Sequence, residues 1–278
     1  MASLVGSRVE RKEDKKLLTG RGRYTADVNF VHQTFAYFVR SPHARAQIKK
    51  VDTSKALKSP GVVSILTGAD IVNDKIGGLI AGWRIKSEDG SDMKVPPHPP
   101  LASDTVNYVG DHVAVVIAET LDEARNAAEL VKVDYKILKA VVSTKDAMSS
   151  DQIYKDVPKN MCFDWLLGDR AKVKEAFDKA DKIIKIDLIN NRLIPNAMEP
   201  RAANADYNPS TEEITLYTTS QNPHLARIII SAFNGVAPEN KLRVIAPDVG
   251  GGFGSKIYPY AEEVVCSWAA KKIERPVK

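Results

Sequence analysis

Gln221 and the loop Val249-Gly250-Gly251-Gly252-Phe253-Gly254-Ser255-Lys256 are the residues whose types and spacing could do chemistry. A glutamine amide donates from one end, accepts at the other, and has no charge to lose. Three glycines, a phenylalanine and a fourth glycine leave peptide N–H groups bare of side-chain cover. Gln221 stands directly before Asn222-Pro223, a pair suited to a helix N-cap and first turn. The glycine run follows the apolar stretch Leu242-Arg243-Val244-Ile245 and precedes a helix-like segment. Helix N-termini and bare amides favour anionic or oxo ligands, because unpaired donors and the positive dipole end point the same way. If strands ending near Ser220 and Pro247 lie side by side, both features share one rim and form a cradle for an oxygen-rich group. Nucleotide motifs fail on spacing. G-x-G-x-x-G counted from Gly250 puts Ser255 where the third glycine belongs, and a P-loop needs glycine directly before Lys-Ser or Lys-Thr. A tight turn or bulge, in which glycine only permits close packing, accounts for the run equally well.

The elements that must position this rim are legible as patterns. In the first half, Phe35–Val39, Ala46–Ile48, Val62–Leu66, His112–Ala118 and Val133–Tyr135 are expected strands. Thr53 or Ser54 could cap a short helix that ends at Pro60-Gly61. Thr120 and Glu123 have capping-box spacing and open a helix carrying Ala124, Ala127, Ala128 and Val131 on one side. Residues 77–100 are too rich in glycine and proline for regular structure. A connector over Ser143–Asn160 follows. The second half predicts a helix over Ala171–Ala180, a long alternating strand over Ile183–Leu193 and a strand over Glu213–Thr218. A helix opened by Asn222-Pro223 should stop at Gly235, ahead of a strand over Leu242–Ile245. The fold class is α+β, divided into 1–145 and 146–278.

Composition excludes several classes. The net charge of +5 comes from 40 basic and 35 acidic residues, mixed along the chain. Its basic patches, Arg8–Arg23 and Arg170–Lys185, contain acids and lack aromatic interleaving, so solvated surface fits better than a nucleic-acid face. Cys162 and Cys266 are isolated, fit buried packing roles in a reducing compartment, and cannot hold an iron–sulfur cluster. The N-terminus lacks a leader's apolar core and no run reaches membrane-spanning length, so the expected location is cytoplasmic.

Three blocks of the second half, NRLIPNAMEPRAANADYNP (191–209), TTSQNPHLAR (218–227) and LRVIAPDVGGGFGSK (242–256), carry a resemblance. So do LLTGRGRYTADV (17–28), RSPHARAQI (40–48), GVVSILTGADI (61–71) and YVGDHVAVVIAET (108–120). Together they resemble the molybdenum-cofactor-binding large subunit of the xanthine dehydrogenase, aldehyde oxidase and aerobic carbon monoxide dehydrogenase family, nearest the last branch. The resemblance implies an a/b hammerhead domain over 1–145, followed by the first part of a molybdopterin-binding α/β domain. It assigns Gln221 as donor to a molybdenum oxo ligand, and Gly251, Gly252, Phe253 and Gly254 as backbone contacts of the metal ligands and pterin. No side chain ligates the metal directly. The implied cofactor is a molybdenum–pterin, in the plain or cytosine-dinucleotide form, with FAD and 2Fe-2S centres on partner subunits.

The family's general-base glutamate lies much further along than Lys278, so this chain carries no catalytic residue. Neither cysteine matches the special cysteine of true carbon monoxide dehydrogenases. The chain is therefore expected to be a truncated, split or complementary piece: inactive alone, exposing apolar surface, and in need of the C-terminal part of the subunit. The implied reaction is water-derived hydroxylation of an aldehyde, heterocycle or similar small substrate. The competing reading is a non-catalytic module that docks partner subunits. Glu199 fits a structural carboxylate, or one that supports the site from behind, better than a catalytic one; His43 and Arg45 fit structural roles, and His224 fits the first helical turn. Glu262 and Glu263 suit the dipole of the last helix, although one of them could face the site. Lys256 either neutralises a phosphate or is solvated.

Overall fold

The computed structural model describes residues 5–278, so the stretch read for a leader begins outside them. A short helix, α1 (Asp14–Leu18), precedes strands β1 (Phe35–Arg40), β2 (Ala46–Asp52) and β3 (Val62–Thr67). Helix α2 (Gly68–Asn73), strands β4 (Thr105–Val106) and β5 (His112–Ala118), helix α3 (Leu121–Ala128) and strand β6 (Lys132–Ile137) complete the first half. β5 is apolar along its whole length after His112 and lies in the middle of an antiparallel sheet of order β1-β5-β3. All seven of its residues are buried, as a strand covered on both faces must be. A second antiparallel sheet has the order β4-β2-β6.

α3 starts where its capping box requires. The Glu123 N–H donates to Thr120 Oγ1 at 3.2 Å, and Glu123 Oε2 accepts from the Thr120 N–H at 3.0 Å. Ala124, Ala127 and Ala128 form its buried face. The short helix expected after Thr53 shrinks to a single tight turn over Ala56–Lys58, closed by Pro60-Gly61.

In the second half α4 (Arg170–Asp178) is capped by Asp169. The strand expected over Ile183–Leu193 is not formed: residues 181–198 make no backbone hydrogen bond to any described residue. Alternation supplies a face, but a strand also needs a neighbouring backbone, and none lies alongside. β7 (Ala203–Asn208), β8 (Glu213–Thr218) and β9 (Leu242–Ile245) form a mixed sheet, antiparallel between β7 and β8 and parallel between β8 and β9. α5 (Pro223–Ile228), extended by a wider turn over Ile229–Phe233, makes the crossover that a parallel pair requires. α6 (Ala261–Ile273) closes the chain.

The two halves share one core. Leu66, Leu101, Val115 and Ile117 from the first pack in the same cluster as Ala205, Ile214, Leu216, Val264 and Trp268 from the second. Residues 276–278 stitch the halves at backbone level. The Ala205 N–H donates to Val277 O at 2.9 Å and the Ala36 N–H to Lys278 O at 2.8 Å. Side chains add a charged tie: Glu262 on α6 accepts from Arg40 at 2.8 Å and meets His112 Nε2 at 3.1 Å.

Burial pushes the Glu262 carboxyl up, but the bonds from His112 and Arg40 outweigh it and hold the group down at about 2, below its ordinary 4.5. A depressed carboxylate stabilises the fold above its unfolded value, and the contribution disappears as pH falls through the folded one. Acid unfolding should therefore contain a component between pH 4.5 and about 2 that Glu262→Gln lacks. Superimposable acid-denaturation curves for the two proteins would contradict this.

Candidate functional site

β8 and β9 run parallel, so their C-terminal ends open on the same side of the sheet, where the chain leaves for Gln221 and for the glycine loop. The expected meeting is present. The Gly254 N–H donates to Gln221 Oε1 at 2.9 Å and the Lys256 N–H to the same oxygen at 3.2 Å. The Gln221 N–H donates back to Lys256 O at 2.8 Å. Because both partners of Oε1 are backbone donors, the amide can face the loop only by its oxygen. Its NH2 has no hydrogen-bond partner among the described residues, and Gln221 as a whole is exposed.

The loop bends by left-handed backbone. Gly251 and Gly254 have φ of 102° and 90°, and Phe253 between them has φ 51° with its ring exposed. Gly252 is buried, and a Cβ placed there would lie 2.5 Å from both Cγ and Cδ of Gln221. The loop therefore needs glycine at 252 to let the Gln221 side chain lie across it. The N–H groups of Gly251, Gly252 and Phe253 make no hydrogen bond within the described residues. One bare amide end and three unpaired peptide donors, one of them on a buried residue, suit a group rich in oxygen acceptors.

Three ties hold the loop in this shape. Glu199 Oε2 accepts from the Gly250 N–H at 2.7 Å and from Lys256 Nζ at 3.4 Å. The Arg201 guanidinium lies 3.5 Å over the Tyr260 ring, donating to Ser255 O at 2.9 Å and to Glu263 Oε2 at 2.8 Å. Asp248, at the loop's base, accepts from Lys16 Nζ and the Arg23 N–H, each at 2.7 Å, which ties the 17–28 block to it.

Several side chains differ from the sequence reading. Lys256 is neither a phosphate cation nor solvated: it is 2% exposed and paired with Glu199. Glu263 points inward, accepting from Thr218 Oγ1 at 2.7 Å, and burial raises its carboxyl against the lowering effect of Arg201. Neither Glu263 nor Glu262 bonds to Gln221 or to the loop glycines. His224 is exposed on the first turn of α5. His43 packs edge-on against Tyr135, and Arg45 donates to Lys139 O and Ile153 O. Cys266 is buried, and its thiol is pushed up to about 12 by burial and by the nearby Glu262 and Glu263, as suits a packing residue. Arg201 escaped the sequence reading altogether. The MEPRA stretch, with two opposite charges around a proline, was the only sign of it.

Gly252→Ala should leave the fold intact, because the colliding atoms belong to a side chain that can swing aside. Gln221 would then lose its seat. Hydrogen exchange at Gly254 and Lys256, whose amides it accepts, should accelerate with little change in Tm; unchanged exchange would contradict this geometry.

Comparison with known proteins adds family membership. Residues 19–139 match the model of the aldehyde oxidase and xanthine dehydrogenase a/b hammerhead domain, and 153–278 that of the molybdopterin cofactor-binding domain. The chain is 35% identical over 99% of its length to the nicotine 6-hydroxylase large subunit of Paenarthrobacter nicotinovorans, covering 33% of that protein. It is 34% identical to the carbon monoxide dehydrogenase large chain of Afipia carboxidovorans, covering 99% of itself and 34% of the relative. Quinoline 2-oxidoreductase from Pseudomonas putida 86 superposes with a TM-score of 0.86 at 31% identity, over 98% of this chain and 34% of that one. No helix among the described residues is long and apolar enough to cross a membrane. The chain spans about a third of the length of these relatives, and it belongs to the molybdenum-hydroxylase large-subunit family of xanthine dehydrogenases, aldehyde oxidoreductases and carbon monoxide dehydrogenases.

Proposed function

We propose that this chain supplies one wall of the molybdenum–pterin site of a hydroxylase acting on an aldehyde, a heterocycle or a similar small substrate. The observation that carries this reading is the fixed Gln221 amide, which offers its NH2 beside the unpaired amides of Gly251, Gly252 and Phe253. These groups would hold the oxygen-bearing ligands of the cofactor by hydrogen bonds alone, with no side chain ligating the metal. The cofactor, when bound, would supply the redox and oxygen-transfer chemistry. Gln221 orients without transferring a proton, since an amide has none to give at neutral pH.

The same reading divides the chain near residue 145, between the two matched spans, and places it in the cytoplasm, where free Cys162 and Cys266 stay reduced. It gives the chain partners as well: the remainder of the large subunit, which would bring the general base, and FAD and 2Fe-2S subunits that take the electrons. Support comes from residues 183–194. Ile184, Ile186 and Leu188 alternate with Lys185 and Asp187, yet are 84%, 69% and 85% exposed. Apolar alternation with a wholly unpaired backbone suits strand addition to a partner.

Two measurements test this. The complete protein should contain molybdenum and a releasable pterin, and Gln221→Ala should lower turnover by about 10- to 100-fold with the fold retained. Wild-type turnover would remove Gln221 from the site, and a metal-free, pterin-free protein would favour a docking module. Hydrogen exchange over 183–194 should be fast in the isolated chain and slow in the complete assembly. Fast exchange in both would remove this segment from the interface.

A further inference from the structure

Both ends of the glycine loop converge on Glu199. Gly250 and Glu199 exchange two bonds: the Glu199 N–H donates to Gly250 O at 3.2 Å, and the Gly250 N–H to Glu199 Oε2 at 2.7 Å. At the other end Lys256 Nζ donates to Glu199 O at 2.8 Å and reaches Oε2 at 3.4 Å. The backbone of Lys256 meanwhile exchanges two bonds with Gln221. Lys256 is thus a node that joins the glutamine on one side to the Glu199 staple on the other.

We propose that Glu199 and Lys256 are positioning residues that set the chord between Gly250 and Lys256. They thereby fix the curvature in which the Gly251, Gly252 and Phe253 amides face a ligand. This rests on the reading that the loop receives a molybdenum–pterin cofactor. Stability alone does not account for the pair. Its side chains are 2% and 11% exposed, and Glu199 Oε1 is buried with no hydrogen-bond partner. A buried ion pair with an unmet oxygen is a poor source of stability, and an apolar pair of the same volume often does as well. What an apolar pair could not do is grip a backbone N–H at one end of the loop and a backbone carbonyl across from the other. The stretch between contains three glycines, the residues that lose most freedom on ordering, and its unpaired amides give it no ladder of its own.

The test uses the complete protein carrying Glu199→Ala, Glu199→Gln, Lys256→Met or Lys256→Arg. Molybdenum and releasable pterin per chain are measured after dialysis, beside hydrogen exchange over residues 250–256 and over α6. Glu199→Ala and Lys256→Met should lower retained molybdenum by about 10- to 100-fold, the range for residues that orient a metal's immediate contacts. They should speed exchange in the loop while Val264–Ala270 keeps its protection. Glu199→Gln, which can still accept from Gly250, and Lys256→Arg, which keeps the charge, should each recover part of the loss. Wild-type metal content with unchanged loop exchange in Glu199→Ala and Lys256→Met overturns the proposal. So does protection lost equally in α6, which would make the pair a core element. A wild-type protein without molybdenum or pterin would instead overturn the cofactor reading, and loop exchange would still decide whether the pair positions the loop.

Discussion

Two peptide N–H groups aimed at one side-chain oxygen govern this rim. Gly254 and Lys256 both donate to Gln221 Oε1, and swapping the ends of the amide would set donor against donor at 2.9 and 3.2 Å. The direction of the glutamine is therefore fixed by the loop, not by its own rotamer preference. The loop in turn can offer those N–H groups because Phe253 and Gly254 both take left-handed backbone. For phenylalanine that conformation costs about 1–2 kcal/mol, and the surrounding bonds must offset it. Strain at one residue and orientation at another are parts of the same arrangement.

What was legible in the sequence was what is local. The Thr120–Glu123 box and the Asn222-Pro223 start each need only residues three positions apart, and both helices begin there. The apolar run Val113–Ala118 marked a doubly covered strand by composition alone. The side-by-side placement of the strands before Gln221 and before the glycine loop was only a condition in the sequence; the structure meets it by pairing β8 and β9 in parallel, with a helix as the usual crossover. The charged framework was hidden. Glu199 and Lys256 stand 57 positions apart and Arg201 and Glu263 62, and no spacing rule connects such pairs. Lys256 read either as a countercharge to a phosphate or as a solvated cation, because an unpaired lysine is almost never buried; its pairing with Glu199 is visible only in the fold.

The joint between the halves was hidden for a related reason. In the sequence the start of α6 showed only two acids suited to the helix dipole, one of which could face the site. In the structure α6 is buried from Val264 to Ala270 on almost every side, and its two acids reach in different directions. Glu262 goes to Arg40 and His112 of the first half, and Glu263 to Arg201 and Thr218 of the second. A helix covered all round belongs to more than one layer. It can carry the position of the first sheet to the base of the loop, because the Arg201 that pairs with Glu263 also holds Ser255 O.

The residues over 183–194 obey the same division between local and non-local causes. A helix such as α4 can form from its own cap at Asp169 and its own i to i+4 bonds, even with Val173 and Phe177 more than half exposed. A strand has no such resource, since every bond it makes belongs equally to another strand. Period-two alternation in Ile184-Lys185-Ile186-Asp187-Leu188 therefore states which face would be buried, and says nothing about whether a neighbour is within reach. Helical pattern and helical structure coincide at α3, α4 and α5 because each of these helices carries its own partners. Strand pattern and strand structure part at 183–194 because the neighbour is not among the described residues.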